Sequence, residues 1–134
     1  MAYLIGVGLA LAVSLMSRIV GLDRDRTLYP AMMIVIASTY DLFAIMSGSM
    51  PALGTESVVA AAFLLFSILG FRFNLWFVVG ALFAHGVFDF FHARFISNPG
   101  VPVWWPSFCL TYDITAAGYL AWLLLSSRVA AKGS

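Results

Sequence analysis

The sequence predicts an all-α integral membrane protein, a five-transmembrane-helix bundle in a single domain that covers residues 1–134. Hydrophobic residues make up 63% of the chain and charged residues only 10%. Soluble domains are about 45–50% apolar and about 25% charged, and a soluble fold of this length cannot bury so much apolar surface. Lipid is therefore the solvent that suits this composition. The net charge of +1 provides no basic field for nucleic acid, which we exclude as a partner.

Five apolar runs each have about the ~20 residues that are needed to cross the hydrocarbon core. The predicted helices cover residues 3–20, 29–47, 55–71, 75–96 and 106–127. Pro30 and Pro106 stand in the first turn of the second and fifth helices, where proline is tolerated, and Thr55 is the predicted N-cap of the third. Polar and turn-forming residues separate the runs at positions 23–26, 48–51 and 98–100.

Positive charges predict the orientation of the chain. In a five-helix arrangement, six basic residues fall on one side of the membrane: Arg18, Arg24, Arg26, Arg72, Arg128 and Lys132. Because positively charged loops stay in the cytoplasm, we expect the N-terminus outside and the C-terminus in the cytoplasm. Arg94 is the exception, near the outer end of the fourth helix, where it would snorkel to the interface or pair with a carboxylate as an additional site residue.

The four helices after the first show a weak internal repeat. Residues 40–43 (Tyr-Asp-Leu-Phe) match residues 88–91 (Phe-Asp-Phe-Phe), and a proline follows each aspartate at the same spacing. Glu56, early in the third helix, then corresponds to Asp113, early in the fifth. The pattern indicates a tandem repeat of two helix pairs plus an extra N-terminal helix, with chance similarity among Phe-rich segments as the alternative.

The fourth helix carries the densest group of ionisable residues. His85, Asp89 and His92 are spaced i, i+4 and i+7 and share one helical face. Two imidazoles and a carboxylate are typical ligands of a transition metal, and the same spacing would equally serve a proton relay. At 1.5 Å per residue, Asp41, Asp89 and Asp113 lie roughly 10 Å below the outer ends of three helices. We therefore expect them to meet in one enclosed polar chamber.

Three further residues have alternative interpretations. Glu56 is expected close to the outer surface, as a base or as an anion stabilised by a helix N-terminus. Asp41, together with Ser38, would also serve as a hydrogen bond between helices. Cys109 shares a face of the fifth helix with Asp113, as a metal ligand or as a small apolar filler. It is the single cysteine, so no internal disulfide is possible.

The pattern His85-x3-Asp89-x2-His92, followed by a proline-rich loop and then Cys109 and Asp113, resembles a family of small, uncharacterised bacterial multi-pass membrane proteins. This resemblance covers residues 85–113 and implies no activity, and from it we expect a location in the bacterial inner membrane. More distantly, the pattern is similar to the membrane hydrolases that include alkaline ceramidases and adipoQ receptors, which bind zinc through three histidines. Only His85 and His92 match here, a third intramembrane histidine is missing, and those proteins have seven helices.

The leading hypothesis is a metal-assisted membrane enzyme, with a hydrolase as the expected class, that acts on a lipid-like or small apolar substrate entering from the outer leaflet. The predicted ligands of a divalent metal, zinc with iron or manganese as alternatives, are His85, Asp89, His92 and Asp113. The metal would activate a water and polarise a carbonyl or phosphoryl group. The predicted catalytic carboxylates, which act as general base or orient the ligands, are Asp41, Glu56 and Asp89.

Two alternatives use the same polar residues differently. In a transport or binding protein they would hold protons or a divalent cation and pass them across the membrane, in a homo-oligomer whose interface completes the path. In an accessory subunit of a membrane complex they would be structural. In each case membrane lipids surround the chain.

Overall fold

The computed structural model describes residues 1–22 and 26–132. In these ranges the chain forms five helices, which are α1 (Ala2–Val20), α2 (Leu28–Ser47), α3 (Met50–Arg72), α4 (Trp76–Phe95) and α5 (Trp105–Leu125). Each of the five is long and apolar enough to cross a membrane. The predicted all-α membrane architecture is thus confirmed, with boundaries that agree closely for every helix except the third.

Helix α3 begins well before the predicted residue 55. Ser49 caps it, because the Ser49 side chain accepts a hydrogen bond from the backbone N–H of Ala52. Pro51 stands in the first turn, where a missing N–H costs nothing. Thr55, the predicted N-cap, lies inside the helix and donates to the carbonyl of Pro51. The prediction of the cap is wrong because the proline that looks like a turn residue in the sequence opens the helix.

The helices α2 to α5 form two hairpins, α2 with α3 and α4 with α5, and α4 packs against both helices of the first hairpin. Helix α1 packs on the outside of this bundle, against α5. We call the end of the bundle where residues 96–104 connect α4 to α5 the loop end, and the opposite end the basic end. The predicted tandem repeat pairs the same helices and stays a prediction.

Basic residues gather at the basic end, as the sequence predicts. Those within the described residues are Arg18, Arg26, Arg72, Arg128 and Lys132, while Arg24 lies outside the described residues. The Arg26 guanidinium donates to the carbonyls of Phe71 and Ala130 at 2.8 Å and of Ala131 at 3.0 Å. A cation suits the carbonyl end of a helix. This arginine therefore ties the last turn of α3 to the segment after α5.

Small residues let α1 approach α5 closely. The buried residues of α1 form one stripe, Gly6, Ala10, Ser14 and Ser17. A Cβ at Gly6 would collide with the side chain of Thr111 and the carbonyl of Phe108. Close packing of small residues is a common way for helices to associate in lipid, where no hydrophobic force drives them together. Tyr29 of α2 adds a hydrogen bond of 3.1 Å to Ser14.

The buried ionisable residues gather in one half of the bundle. Toward the basic end, the fully buried side chains include Met33, Val78, Leu82, Leu120 and Leu123. Toward the loop end, α3, α4 and α5 bury histidines and carboxylates, and α2 buries Tyr40. Burying ionisable groups is costly unless they are paired or bind ions. The candidate site therefore lies in the loop-end half.

Candidate functional site

The central group of the site joins α4 to α5. His85 Nδ1 lies 2.7 Å from Asp113 Oδ2 and 3.4 Å from Asp89 Oδ2. One potential ligand atom from each of these three residues lies within 4.8 Å of the other two. All three side chains are buried, with at most 1% of their surface exposed. This group, which we call the triad, could hold a metal ion.

Two oxygens of the triad need a further partner. Asp89 Oδ2 and Asp113 Oδ1 are buried and have no hydrogen-bond partner among the described residues. A buried carboxylate oxygen without a donor is costly. A cation, or a proton shared by the two carboxylates, would remove this cost. One imidazole nitrogen and carboxylate oxygens are a donor set that zinc, iron and manganese accept.

A close approach of α4 and α5 positions the triad. Gly86, the neighbour of His85, faces Ile114, the neighbour of Asp113, and a Cβ at Gly86 would lie 2.9 Å from Ile114 Cδ1. The absence of a side chain at Gly86 therefore brings His85 within reach of α5. Asp89 joins the same face because it follows His85 by four residues.

Tyr40 of α2 connects the triad with a second polar group. Its hydroxyl donates a hydrogen bond of 2.7 Å to Asp89 Oδ1. Its ring stacks on the imidazole of His92, with ring centroids 3.9 Å apart and planes 9° apart. Tyr40 is not among the site residues predicted from the sequence. The helical spacing of the buried face of α2 could have identified it, since this face includes Met33, Ala37, Tyr40 and Ala44.

The second polar group consists of Glu56, His92 and Asn98, and we call it the Glu56 group. Glu56 Oε2 lies 2.7 Å from His92 Nε2 and accepts a hydrogen bond of 2.8 Å from Asn98 Nδ2. Asn98 Nδ2 also donates to the backbone carbonyl of Tyr40 at 3.0 Å. Glu56 is 2% exposed, and its Oε1 has no hydrogen-bond partner among the described residues. Asn98, which looks like a turn residue in the sequence, is thus part of the site.

The predicted ligand set is only partly brought together. His92 belongs to the Glu56 group and not to the triad, so its assignment as a ligand of the same ion is corrected. His92 follows His85 by two helical turns, about 10.5 Å along the axis, which is too far for one ion. Glu56 is also not at a helix N-terminus, because α3 begins at Met50. Its burial and its pairing with His92 replace the helix-dipole interpretation.

Asp41 lies outside the buried site. It is half-buried, and its Oδ1 accepts a long hydrogen bond of 3.4 Å from Ser57. Asp41 lines a groove of about 270 Å³ between α2 and α3. Successive residues of a helix point about 100° apart, so Asp41 faces outward because Tyr40 faces inward. The expected chamber of three aspartates therefore contains only two, and Ser38 bonds the carbonyl of Ile34 instead of Asp41.

The two additional candidates, Arg94 and Cys109, differ in position. Arg94 is exposed, and its guanidinium carbon lies 5.8 Å from the centre of the Phe91 ring. It therefore supplies no cation to the triad in this structure. Cys109 is a buried free thiol on the same face of α5 as Asp113, one turn closer to the loop end. It lines an apolar cavity and is not a member of the triad.

Two adjoining cavities form an apolar groove beside α5. One, of about 330 Å³, lies between α1, α2 and α5 and reaches Cys109 and Tyr112. The other, of about 570 Å³, lies between the first residues of α1 and Trp104. Trp105 and Phe108 line both cavities, so the two adjoin along α5. The indole Nε1 of Trp105 is buried without a hydrogen-bond partner among the described residues.

Comparison with family models, curated proteins and solved structures finds no match. A functional assignment therefore depends on the side-chain geometry of the triad and of the groups around it.

Proposed function

We propose that this chain is a metal-dependent membrane enzyme that binds one divalent ion, zinc, iron or manganese, at His85, Asp89 and Asp113. The observation that carries the proposal is the convergence of three buried ligand atoms within 4.8 Å, next to two carboxylate oxygens that lack a hydrogen-bond donor. When bound, such an ion supplies Lewis acidity and a water that is deprotonated at neutral pH. The enzyme would belong to the hydrolases.

The residues of the chain have separate roles in this proposal. His85, Asp89 and Asp113 hold the ion from two helices, so that its position depends on how α4 packs on α5. Tyr40 is a positioning residue, because its hydrogen bond to Asp89 Oδ1 leaves Oδ2 of the same carboxylate for the ion. Outer-shell hydrogen bonds of this kind orient metal ligands in other proteins.

The apolar groove supports a lipid-like or small apolar substrate. Cys109 lines the groove and lies one helical turn before Asp113 on the same face of α5, so a substrate in the groove would lie along the helix that carries Asp113. The outer part of the groove is lined by Trp104 and Trp105, residues that favour the membrane interface. The unpartnered Nε1 of Trp105 offers a hydrogen-bond donor to an ester or phosphate oxygen of such a substrate.

We further propose that the chain is a multi-pass protein of the bacterial inner membrane with its basic end in the cytoplasm. The basic residues at that end support this orientation by the positive-inside rule. The triad and the groove then lie in the outer half of the bilayer, and a lipid-like substrate would come from the outer leaflet.

A second candidate function is the transfer of protons or of a divalent cation. It is favoured by the order of the buried groups, since the Glu56 group, Tyr40 and the triad follow one another from the loop end inward. Chains of carboxylates and histidines carry protons in membrane pumps and transporters. In this alternative the same residues pass the ion on, and no lipid is turned over.

Metal analysis of the purified protein tests the leading proposal. After incubation with zinc, iron(II) or manganese and gel filtration, we expect the wild type to retain one tightly bound equivalent. Asp113→Asn should lose it, whereas Asp41→Asn, which removes a carboxylate at similar depth outside the triad, should retain it. No retained metal in the wild type, or equal losses in the two variants, would contradict the proposal.

A lipid-turnover assay separates the enzyme from the transporter. Metal-loaded wild type should convert a phospholipid or an acyl amide in mixed micelles, and the Asp113→Asn variant should not. Metal or proton flux into proteoliposomes without any turnover would instead favour transport.

A further inference from the structure

The Glu56 group contains a buried carboxylate oxygen that no role described so far uses. Glu56 is 2% exposed, its Oε2 has two partners, and its Oε1 has none among the described residues. A carboxylate buried in the membrane-spanning region is expected to meet a cation or a proton. An ion held by the triad does not supply this partner, because the ligand atoms of the triad lie next to one another and Glu56 is not among them.

The two groups lie at different levels of α4 and have different ligands. In a two-metal centre the ions lie about 3.5–4 Å apart. His85 and His92 are about 10.5 Å apart along α4. The ring of Tyr40 stacks on His92, and its hydroxyl reaches Asp89, so Tyr40 lies between the two groups.

A cavity at the loop end adjoins two members of the Glu56 group, with Glu56 itself behind Asn98 and outside the lining. It has a volume of about 390 Å³, and His92 and Asn98 are part of its lining. The remainder of the lining comes from α4 and from the 96–106 segment with its prolines. A space of this size accommodates several waters, since one water occupies about 30 Å³ in the liquid. An ion in this cavity would keep part of its hydration shell.

We propose that Glu56 and His92 form a second binding site, for a partly hydrated divalent cation, through which the triad is loaded from the loop end. This second site rests on the proposed function, because it takes the triad as the final position of the ion. His92 lies roughly 5 Å and His85 roughly 15 Å from the end of α4. The Glu56 group therefore precedes the triad on a path inward from the loop end.

The chemistry of the site suits such an intermediate position. It offers one carboxylate and one imidazole, fewer protein ligands than the triad, so we expect weaker binding and faster exchange. Asn98 closes the site, because its amide donates to both Glu56 Oε2 and the carbonyl of Tyr40. An ion that binds Glu56 would displace this amide and release the segment that follows α4.

Manganese titration with electron paramagnetic resonance tests the proposal, because the spectrum of free Mn²⁺ counts the bound equivalents. The full chain in detergent is first stripped of metal with a chelator. We expect one tight and one weaker equivalent in the wild type, only the tight one in Glu56→Gln and only the weaker one in Asp113→Asn. Asp41→Asn should keep both.

The rate of loading provides a second measurement. In Glu56→Gln, the rate at which Mn²⁺ fills the triad should fall about tenfold or more, because a negative charge on the access path raises local cation concentration. The dissociation constant of the triad should stay unchanged. If Glu56→Gln does not fold, as judged by gel filtration, His92→Gln replaces it with the same expected results.

The possible outcomes distinguish the two proposals. A single equivalent in the wild type that Asp113→Asn abolishes and Glu56→Gln leaves unchanged overturns the second site and leaves the proposed function standing. An equivalent lost in Glu56→Gln but unaffected by Asp113→Asn supports the second site and overturns the triad as the metal centre. No bound Mn²⁺ in any variant overturns the second site, and the retention of zinc and iron(II) then decides the proposed function.

Discussion

The hydroxyl of Tyr40 on α2 donates a hydrogen bond of 2.7 Å to Oδ1 of Asp89 on α4. A carboxylate can rotate about the bond that joins it to the side chain, and the hydrogen bond to Tyr40 fixes the orientation of the Asp89 carboxylate. Oδ2, the oxygen without a hydrogen-bond partner among the described residues, is thereby held toward His85. One phenol thus links the packing of α2 to the geometry of a group formed by α4 and α5.

Replacement of this phenol should weaken metal binding without unfolding the protein. Tyr40→Phe removes the hydrogen bond to Asp89 and keeps the ring that stacks on His92. Since the loss of an outer-shell partner typically lowers metal affinity by about 10–100-fold, we expect a decrease in this range. Competition with a chromogenic chelator measures it. Tyr119→Phe, which changes a phenol on α5 outside the site, should have no effect, and an equal affinity in the two variants would exclude Tyr40 as a positioning residue.

The contact of α1 with α5 can be tested with two glycines of the same helix. Gly6→Ala places a Cβ against Thr111 and the carbonyl of Phe108, and overpacking of this kind costs about 1–3 kcal/mol. Gly8→Ala places its Cβ in open space and should be neutral or slightly stabilising, because alanine favours a helix. Unfolding in a denaturing detergent measures both variants. Equal effects would show that α1 does not pack on α5 through Gly6.

Loss of the arginine at the basic end should destabilise the fold. Arg26→Ala removes hydrogen bonds to the carbonyls of Phe71, Ala130 and Ala131. Because part of this group is exposed, we expect a loss of about 1.5 kcal/mol, the lower value for hydrogen bonds of a charged donor. The same unfolding assay should show no loss for Arg94→Ala, whose side chain is exposed. A stable Arg26→Ala variant would contradict the assignment.

The orientation in the membrane can be measured by cysteine labelling. In a Cys109→Ala background, Val103→Cys places a thiol on a loop-end residue that is 98% exposed. We expect an impermeant maleimide to label it in spheroplasts. Phe73→Cys, at the basic end and 62% exposed, should react only after permeabilisation. The reverse pattern would contradict the proposed cytoplasmic position of the basic end.

The five helices could be predicted because a bilayer imposes both length and apolar composition on each segment that crosses it. The error at the start of α3 has a local cause. A Gly-Ser-Met-Pro sequence is compatible with a turn and with a helix start, and only the hydrogen bond from Ala52 N–H to Ser49 distinguishes the two.

The sequence predicts at which level along the helices each candidate site residue lies, but not which way its side chain points. The rise per residue places Asp41 and Asp89 at similar levels, yet which way each side chain points depends on how the helix packs. Tyr40 rather than Asp41 turned out to face the bundle. His85, Asp89 and Asp113 could be predicted because ionisable residues inside membrane-spanning helices are rare and usually pair with one another. Asn98 was missed because a loop residue becomes part of the site only when the loop folds back over the bundle.

The packing of the first helix on the fifth has a consequence for biogenesis. Apart from the hydrogen bond between Ser14 and Tyr29, the main neighbour of α1 among the described helices is α5. Of the five helices, α1 is synthesised first and its partner α5 last. Until then the stripe of Gly6 and its small neighbours faces lipid or a chaperone. A translation product that stops before α5 would thus carry an orphaned helix, a feature that membrane quality-control proteases could recognise.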